Sequence, residues 1–424
     1  MPIIRSNAIR IKRFRELKAD LRTNRNRLLV GIDIAKAQHV AQVRLAHITV
    51  LDKQLGIPNT SAGFEHFWAH LERRQGETGC TEIVCAVEPT GTYHQALATF
   101  LEAHGVDVVL VCNHVAALNR RTLDRTWGKS DPKDAHNLCD LLERGLVLFY
   151  SLPDDRVATL RRLVRLLRRA RVELGACKAR FRNTLLPALG PAGEPLPRRV
   201  AASLPAPLHV LLPPAQRGGA AEPGVGLPPA LAFECTDLAA RLVSVRARIA
   251  RIEAELVTVA TPLPAYRLLL SLPGVGPTLA AILLAEIGDI AWYTKFSQLR
   301  KLAGLDIVRV ESGQWAGTAR ISRCGRPLLR WALYQAALGT ARTPFGRAWR
   351  AAMREKRHGD PHAFFKANVE LAAKLLRLVW GIWRSGRPYE AARIGGLPAL
   401  RPTSATRRPR ASRRGASAGG GMSG

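Results

Sequence analysis

A chain of 424 residues, 47% of them hydrophobic, is long enough to bury a core in two or three domains, which excludes a wholly disordered protein. Its 64 lysines and arginines outnumber 33 aspartates and glutamates, and the net charge of +31 favours nucleic acid as the partner. We expect no membrane partner, because no apolar run is long enough to span a bilayer.

The seven cysteines are scattered, without a CxxC pair. Such spacing is typical of neither a zinc site nor a disulfide framework, so the sequence predicts a protein of a reducing cytoplasm. Charge and cysteine usage alone fit an architectural nucleic-acid binder as well as an enzyme. The motifs have to separate the two.

The first part of the chain predicts an α/β domain. Residues 1–27 are basic and predict an irregular arm. Strands are predicted at residues 28–35, 41–45, 82–87 and 107–111, with a helix at residues 93–104. Another helix begins at Pro132, after Ser130 or Asp131 as N-cap, and runs to Gly145. This alternation of strands and helices predicts an α/β domain over residues 28–150.

Two heptad patterns occupy residues 151–262. Apolar residues recur at steps of three and four at Leu160, Leu163, Leu167, Ala170, Leu174, Cys177 and Phe181, and again at Leu238, Leu242, Val245, Ile249, Ile252, Leu256 and Val259. They predict an antiparallel coiled-coil hairpin, within the chain or across a dimer, although ordinary bundle helices fit the spacing too. Between them, residues 187–232 are rich in proline and glycine and predict a flexible insert that cannot sustain a helix.

The remaining sequence predicts a mainly helical domain at residues 263–390 and a disordered basic tail at residues 391–424. Within the domain, residues 268–286 predict a helix-hairpin-helix whose turn contains Gly274 and Gly276. Glycines in such a turn let backbone N–H groups approach a phosphate closely, aided by the N-terminus of the following helix. A plain packing turn is the alternative.

Four carboxylates of the α/β domain form the candidate catalytic site. Asp33 lies inside an apolar strand, Glu88 closes another, and Asp131 and Asp134 share one face at a helix start. Two strands and a helix of one sheet can bring all four together, and two divalent cations would then neutralise them and activate an attacking oxygen at a phosphodiester. Oxygen ligands favour Mg²⁺ or Mn²⁺. Taken singly, Asp131 is explained as an N-cap and Glu88 as a turn residue.

Eight segments carry a resemblance to a known family. They read GIDIAK at 31–36, VEPTG at 87–91, KSDPKDA at 129–135, LPGVGP at 272–277, LAGL at 302–305, ESG at 311–313, RISRCG at 320–325 and LLR at 328–330. In this order they resemble the motifs of the DEDD transposases of the insertion sequence 110 family. Its N-terminal domain is similar to RuvC-type Holliday-junction resolvases, which have an RNase-H-like fold. The resemblance covers residues 28–150 and 265–385.

The resemblance implies roles for particular residues. It makes Asp33, Glu88, Asp131 and Asp134 the metal ligands, and it implies a serine of the second domain that attacks DNA and forms a covalent phosphoserine link. By motif position that serine is Ser312, with Ser322 as the competitor. It also implies a structured non-coding RNA that guides the enzyme to its DNA, a dimer or tetramer, and a place on the bacterial nucleoid.

Two groups of arginines are candidate contacts for nucleic acid. Arg320, Arg323 and Arg326 follow Ser312 closely and are candidates to clamp the scissile phosphate. The first heptad helix carries a second group, at Arg161, Arg162, Arg165, Arg168 and Arg169. This second group is predicted to lie along an RNA or DNA backbone, with a solvated helix face as the alternative.

The residues and motifs leave three candidate functions. The favoured one is a transposase or recombinase that cuts and rejoins DNA with Mg²⁺ and a serine, guided by RNA. The second is a Holliday-junction-resolvase-like nuclease that uses only the four carboxylates, and it would form no covalent protein–DNA adduct. The third is a non-enzymatic nucleic-acid binder with structural carboxylates.

Overall fold

A computed structural model gives the fold of this protein. It describes residues 7–46, 49–89, 91–123, 130–150, 155–191, 194, 196, 198–213, 227–309, 311–312, 315–317 and 319–390. The chain divides into two compact units, with the division between Asp154 and Asp155. The predicted basic tail, residues 391–424, lies outside the described residues.

The N-terminal unit is built on a six-stranded sheet with strand order β3-β2-β1-β4-β5-β6. Its strands are β1 (Arg27–Asp33), β2 (Gln38–Leu45), β3 (Val50–Pro58), β4 (Glu82–Val87), β5 (Asp107–Leu110) and β6 (Leu148–Phe149). β1, β4 and β5 run parallel, whereas β2, β3 and β6 pair antiparallel with their neighbours. The predicted strands are confirmed, and β3 and β6 are additional.

Helices cover both faces of this sheet. They are α1 (Asn7–Asp20), α2 (Ser61–Thr78), α3 (His94–Ala103), α4 (Asn113–Leu123) and α5 (Asp131–Glu143). Even-numbered β1 residues such as Val30 pack with α2 and α3, whereas Leu29 packs with α1, α4 and α5. The period of two in a strand produces this division, because successive side chains point to opposite faces. The expected α/β domain is confirmed.

The irregular arm predicted for residues 1–27 is wrong over most of its length, since α1 is a helix docked on the sheet. Leu17 and Leu21 stand one turn apart and are both buried in the core beneath α1. Arg10 forms a buried ion pair with Glu102 of α3, and Arg27 is paired with Asp20. The high density of basic residues concealed this apolar spacing. Residues 1–6 lie outside the described part of the chain.

In the second unit, α6 (Asp155–Arg180) and α10 (Pro229–Ala260) pack against each other within the chain. Arg171 pairs with Glu253 at 2.5 Å and Arg180 with Glu234 at 3.7 Å, so the two helices run antiparallel. The predicted antiparallel pairing is therefore confirmed within one chain. Coiled-coil packing of the seam stays a prediction.

The insert predicted as a flexible segment without helices is wrong where it is described. A π-helical turn (Phe181–Leu185) continues α6 and is followed by α7 (Leu186–Leu189), α8 (Arg198–Ser203) and α9 (Ala206–His209), while α10 begins at Pro229. Leu196, Leu204, Leu208, Leu211 and Leu212 form a core with the ends of α6 and α10. Widely spaced leucines supply this core despite the proline and glycine between them. Residues 192–193, 195, 197 and 214–226 lie outside the described chain.

The rest of the second unit is mostly helical. It contains α11 (Pro264–Leu270), α12 (Pro277–Ile287), a 3₁₀ turn (Ile290–Trp292), α13 (Phe296–Leu302), α14 (Pro327–Thr340), α15 (Pro344–Lys356) and α16 (Ala363–Ser385). Four two-residue strands lie between α13 and α14: β7 (Ile307–Val308), β8 (Glu311–Ser312), β9 (Trp315–Ala316) and β10 (Arg320–Ile321). Leu160 of α6 and Leu256 of α10 belong to the same core as these helices. No helix among the described residues has the length and apolar character of a membrane span.

Candidate functional site

Asp33 and Glu88 lie side by side at one edge of the sheet. β1 and β4 are parallel with Ile32 opposite Val87, Asp33 is the last residue of β1, and Glu88 follows β4 directly. Carboxyl ends of parallel strands meet at the same edge, where ligands bind in open α/β sheets. The buried apolar runs that form both strands thus fix two carboxylates next to each other.

Helix α5 approaches this edge closely because residue 31 is glycine. A Cβ added at Gly31 would lie 2.2 Å from the carbonyl oxygen of Ala135 and 2.7 Å from the nitrogen of Cys139. Gly31 and Asp33 are two residues apart, so they share the face of β1 that α5 covers. The first turn of α5 contains Asp131 and Asp134, after Ser130 as N-cap. α5 therefore places its two carboxylates on the same side of the sheet as Asp33.

Arg120 of α4 joins the carboxylates of two sequence motifs. Its Nε forms an ion pair with Oδ1 of Asp134, and its Nη2 lies 4.0 Å from Oε2 of Glu88. Asp134 is 3% exposed, and a carboxylate so deeply buried is costly without a partner. Asp131 is exposed, one helical turn away. The structure thus brings Glu88 and Asp134 close to one guanidinium, that of Arg120, and Asp33 lies beside Glu88.

The four residues supply only carboxylate oxygens, a donor set that suits Mg²⁺ or Mn²⁺. Among the described residues, no group of three or more Asp, Glu, His or Cys side chains is arranged to hold a metal ion. The carboxylates share one end of the sheet and have the donor chemistry that such an ion requires. The metal site itself stays a prediction.

The two candidate serines lie in the small β-region between α13 and α14. Ser312 is in β8, which pairs with β9 so that Ser312 is opposite Trp315. Ser322 follows β10, and its N–H donates to the carbonyl of Asp306 at 2.7 Å. The sequence shows no sign of these strands, because two-residue strands leave no periodicity. Gly313 lies outside the described residues.

Of the three arginines after Ser312, two are exposed. Arg320 and Arg323 face solvent, and Arg323 has a φ of 56°, in the left-handed region that is rare for a residue with a side chain. Arg326 instead donates to the carbonyl of Glu286 at the end of α12. Arg320 and Arg323 are therefore open to a ligand, whereas Arg326 holds the loop to α12.

The turn between α11 and α12 assigns different tasks to its two glycines. Gly274 has a φ of 80°, and a Cβ there would lie 2.3 Å from the nitrogen of Thr340 and 2.5 Å from the carbonyl oxygen of Ala336. Gly274 thus permits close packing against α14, as the alternative interpretation predicted. An added Cβ at Gly276, before α12, would meet nothing within 4 Å. Phosphate binding at this turn stays a prediction that fits Gly276 better than Gly274.

The arginines of α6 also separate into two sets. Arg161 donates to the carbonyl of Ala285 at 2.8 Å, and burial, with the charge of Arg326, lowers its pKa to about 10. Arg161 is thus tied to α12. The other four are exposed: Arg162, Arg165, Arg168 and Arg169.

Sequence reasoning missed Arg120 and Gly31. A lone arginine in an amphipathic helix has no distinguishing pattern, and Arg121 beside it looks the same in the sequence. Gly31 was noticed as part of a motif, but its close contact with α5 follows only from the packing. Spacing within the sequence contains no signal for either role.

An α/β unit that presents carboxylates at the ends of parallel strands is followed in this chain by a mostly helical region, and comparisons with known proteins place both parts among the transposases. A family model described as transposase matches residues 30–188, and one described as transposase of the IS116/IS110/IS902 family matches residues 266–354. The chain belongs to the IS110 family of transposases.

Two relatives come from insertion elements of Streptomyces. An uncharacterized 44.8 kDa protein of insertion element IS116 from Streptomyces clavuligerus is 26% identical over 408 residues, covering 87% of this chain and 98% of the relative. An uncharacterized 43.6 kDa protein of insertion element IS110 from Streptomyces coelicolor is 27% identical over 176 residues, covering 41% and 42%. The first alignment extends over both compact units.

Proposed function

We propose that this transposase cuts and rejoins DNA strands at the ends of its mobile element, using a metal-binding carboxylate group and a serine nucleophile. One observation carries the proposal. In a chain of a transposase family, Asp33, Glu88 and Asp134 come to the same end of the sheet from three separate elements. The order of three antiparallel and then parallel strands supports an RNase-H-like, RuvC-like assignment for this unit.

Asp33, Glu88, Asp131 and Asp134 are the residues that would hold Mg²⁺ or Mn²⁺. When bound, divalent ions supply positive charge that offsets the charge developing on the phosphate and assists deprotonation of an attacking hydroxyl. The part of the chain is to fix the carboxylates. The strand register sets Asp33 and Glu88, and the close approach of α5 at Gly31 sets the other two.

Ser312 is the proposed nucleophile. Its Oγ forms a bond to phosphorus while the bond between phosphorus and one deoxyribose oxygen breaks, and that oxygen leaves as a hydroxyl once protonated. A carboxylate of the DEDD group, which consists of Asp33, Glu88, Asp131 and Asp134, accepts the serine proton, from the same chain or a neighbouring subunit. Attack of a sugar hydroxyl on the phosphoserine then reverses the step, rejoins DNA and restores the serine. The motif resemblance at residues 311–313 supports this choice over Ser322.

Arg320 and Arg323 are proposed to bind the scissile phosphate, because both are exposed and follow Ser312 closely. Arg326 then supports their loop from the end of α12. The four exposed arginines of α6 are proposed to contact a structured guide RNA, and the turn at Gly276, as part of a helix-hairpin-helix, to contact a DNA phosphate. A dimer or tetramer that brings two DNA ends together completes the proposal.

The test is to trap the covalent intermediate. The reaction contains full-length protein, Mg²⁺, DNA with the ends of the element, and RNA transcribed from its flanking region. Wild type and Ser322→Ala should give a protein–DNA adduct that survives denaturing electrophoresis. Ser312→Ala should give none and lose strand exchange by at least about 10³-fold, while still binding DNA, because only the nucleophile is removed.

The outcomes separate the candidates. Strand exchange by Ser312→Ala at the wild-type rate would eliminate Ser312 as nucleophile. Loss of the adduct in Ser322→Ala alone would assign the role to Ser322. Metal-dependent nicking without any adduct would favour the resolvase-like nuclease.

A further inference from the structure

Arg120 puts one positive charge among the DEDD carboxylates, although it belongs to none of the sequence motifs. It contacts Asp134 and approaches Glu88 to 4.0 Å. The side chains of Asp134 and Glu88 are only 3% and 16% exposed, and that of Arg120 is 26% exposed. The contact is thus shielded from most of the solvent. Opposite charges attract more strongly in such a shielded place than on an open surface.

A network of buried amides fixes the position of Arg120. The side-chain amide of Asn119 donates to Oδ1 of Asn137 at 2.8 Å and to Oδ2 of Asp140 at 2.7 Å. Asn137 donates in turn to the carbonyl of Ala116 at 2.9 Å. Asn119 and Asn137 are both buried, so α4 is tied to α5 at the residue before Arg120. These hydrogen bonds between α4 and α5 consequently hold Arg120 in position beside Asp134.

Asp134 and Glu88 are also proposed metal ligands, so the Arg120 guanidinium and a divalent metal ion would compete for the same two carboxylates. A guanidinium paired with Asp134 takes up a carboxylate that an ion would need, and its charge repels a divalent ion nearby.

We propose that Arg120 is a resident counter-ion of the catalytic carboxylates. It neutralises Glu88 and Asp134 when no divalent ion is bound, and it competes with the ion for them. Metal binding requires the guanidinium to release Asp134, so Arg120 weakens the affinity for metal and stabilises the metal-free fold. This assignment rests on the proposed function of the DEDD group.

The experiment measures binding of Mn²⁺ alone to full-length protein by isothermal titration calorimetry, without nucleic acid. Arg120→Gln and Arg120→Met both remove the charge. We expect each to bind Mn²⁺ at least about tenfold more tightly than wild type, because one repelling charge is gone. Each should also have a lower Tm without metal, and Mn²⁺ should raise that Tm more than it raises the Tm of wild type.

Arg74→Gln is the matched control. Arg74 pairs with Asp52 at 2.7 Å, and the two side chains are 27% and 15% exposed, close to the exposures of Arg120 and Glu88. It removes an equally exposed arginine from the same unit, away from the DEDD group, so its Mn²⁺ affinity should remain within about twofold of wild type. Asp134→Asn should lose the site and thereby identify it.

Unchanged or weaker Mn²⁺ binding in folded Arg120 variants, with wild type binding normally, would overturn the role of Arg120 alone. If neither wild type nor the Arg120 variants bind Mn²⁺, both this role and the metal site are overturned. The same holds if Asp134→Asn does not abolish the binding. Arg120 variants that fold only with Mn²⁺ would support the exchange of cations. Variants that fail to fold with or without Mn²⁺ would overturn it, since the arginine would then be purely structural.

Discussion

At the scale of single residues, His39 shows how burial favours one charge state close to the strand end that carries Asp33. His39 is fully buried, and its Nδ1 accepts a hydrogen bond from the N–H of Ala35 at 3.2 Å. Protonation of Nδ1 would remove that acceptor. Burial lowers the pKa of His39 below its ordinary value, so the folded state favours the neutral ring. Ala35 lies two residues beyond Asp33, and the neutral ring therefore supports the loop that follows this carboxylate.

A pH dependence of stability follows from this shift. The unfolded chain takes up a proton on His39 near pH 6.5, before the folded protein does. The contribution of His39 is therefore complete above that pH and is lost as the pH falls toward and through the lower pKa of the folded state. We expect the free energy of unfolding, measured with urea, to fall between pH 7.5 and 5.5.

The variant His39→Gln should show a shallower fall over this range, because it has no proton to take up. His66→Gln changes an exposed histidine of α2 and should keep the wild-type slope. Equal slopes for His39→Gln and wild type would show that other groups cause the dependence.

The sequence indicated the candidate carboxylates better than it indicated the contacts between side chains. Asp33 and Glu88 were recognisable because a carboxylate in or directly after an apolar run contradicts the burial around it. The engagement of Arg161 with Ala285, and of Arg326 with Glu286, was not predictable, because an exposed arginine and a carbonyl-capping arginine look identical in a sequence. Long-range hydrogen bonds of this kind depend on packing between distant segments.

At the scale of elements, the contact between β1 and α5 determines where the carboxylates meet. We expect Gly31→Ala to lower the free energy of unfolding by about 1–3 kcal/mol, because its Cβ would overlap the Ala135 carbonyl and force α5 away from the sheet. The same shift would move Asp134 from Glu88, so Mn²⁺ affinity should fall too. Urea unfolding and calorimetry measure the two effects.

Gly76→Ala is the control for this substitution. Gly76 lies in α2, and an added Cβ there meets nothing within 4 Å. Alanine should therefore stabilise the helix by about 0.5–1 kcal/mol. A Gly31→Ala protein as stable as wild type would mean that α5 can retreat at no cost.

Elements were predictable in proportion to how pure their patterns are. β1 is an uninterrupted apolar run and was evident, whereas β3 carries Asp52, Lys53 and Gln54 in its middle and was missed. The short helices between α6 and α10 were hidden because composition was averaged over the prolines and glycines around them. Average composition conceals a core that a few well-spaced leucines can build.

At the scale of the whole molecule, the net charge of +31 has a specific distribution. Many arginines are engaged in ion pairs, such as Arg171 with Glu253 and Arg27 with Glu82. On α6, in contrast, four arginines remain exposed. Favourable contacts with a polyanion therefore depend on particular surfaces as well as on total charge.

Charge reversal on α6 tests this distribution. Each of Arg162→Glu, Arg165→Glu, Arg168→Glu and Arg169→Glu should weaken binding of RNA from the flanking region. Each should also reduce the slope of log K against log salt by about 1, because one phosphate contact is lost. Filter binding at several salt concentrations measures both quantities.

Arg354→Glu makes the same change of charge at an exposed position on α15 and should leave the slope close to wild type. A uniform loss in all five variants would indicate that only net charge matters, and α6 would lose its assignment as an RNA contact.

The docked helix α1 has a consequence for decaying copies of the element. Leu17 and Leu21 shield the sheet face formed by Leu29, Val84 and Val109. A deletion that removes the first two dozen codons leaves intact every motif that contains a proposed catalytic residue. Its protein product would expose this apolar surface to water and would tend to aggregate or be degraded. Such a copy of the element would be inactive because its protein is lost, although it would still encode all of the proposed catalytic residues.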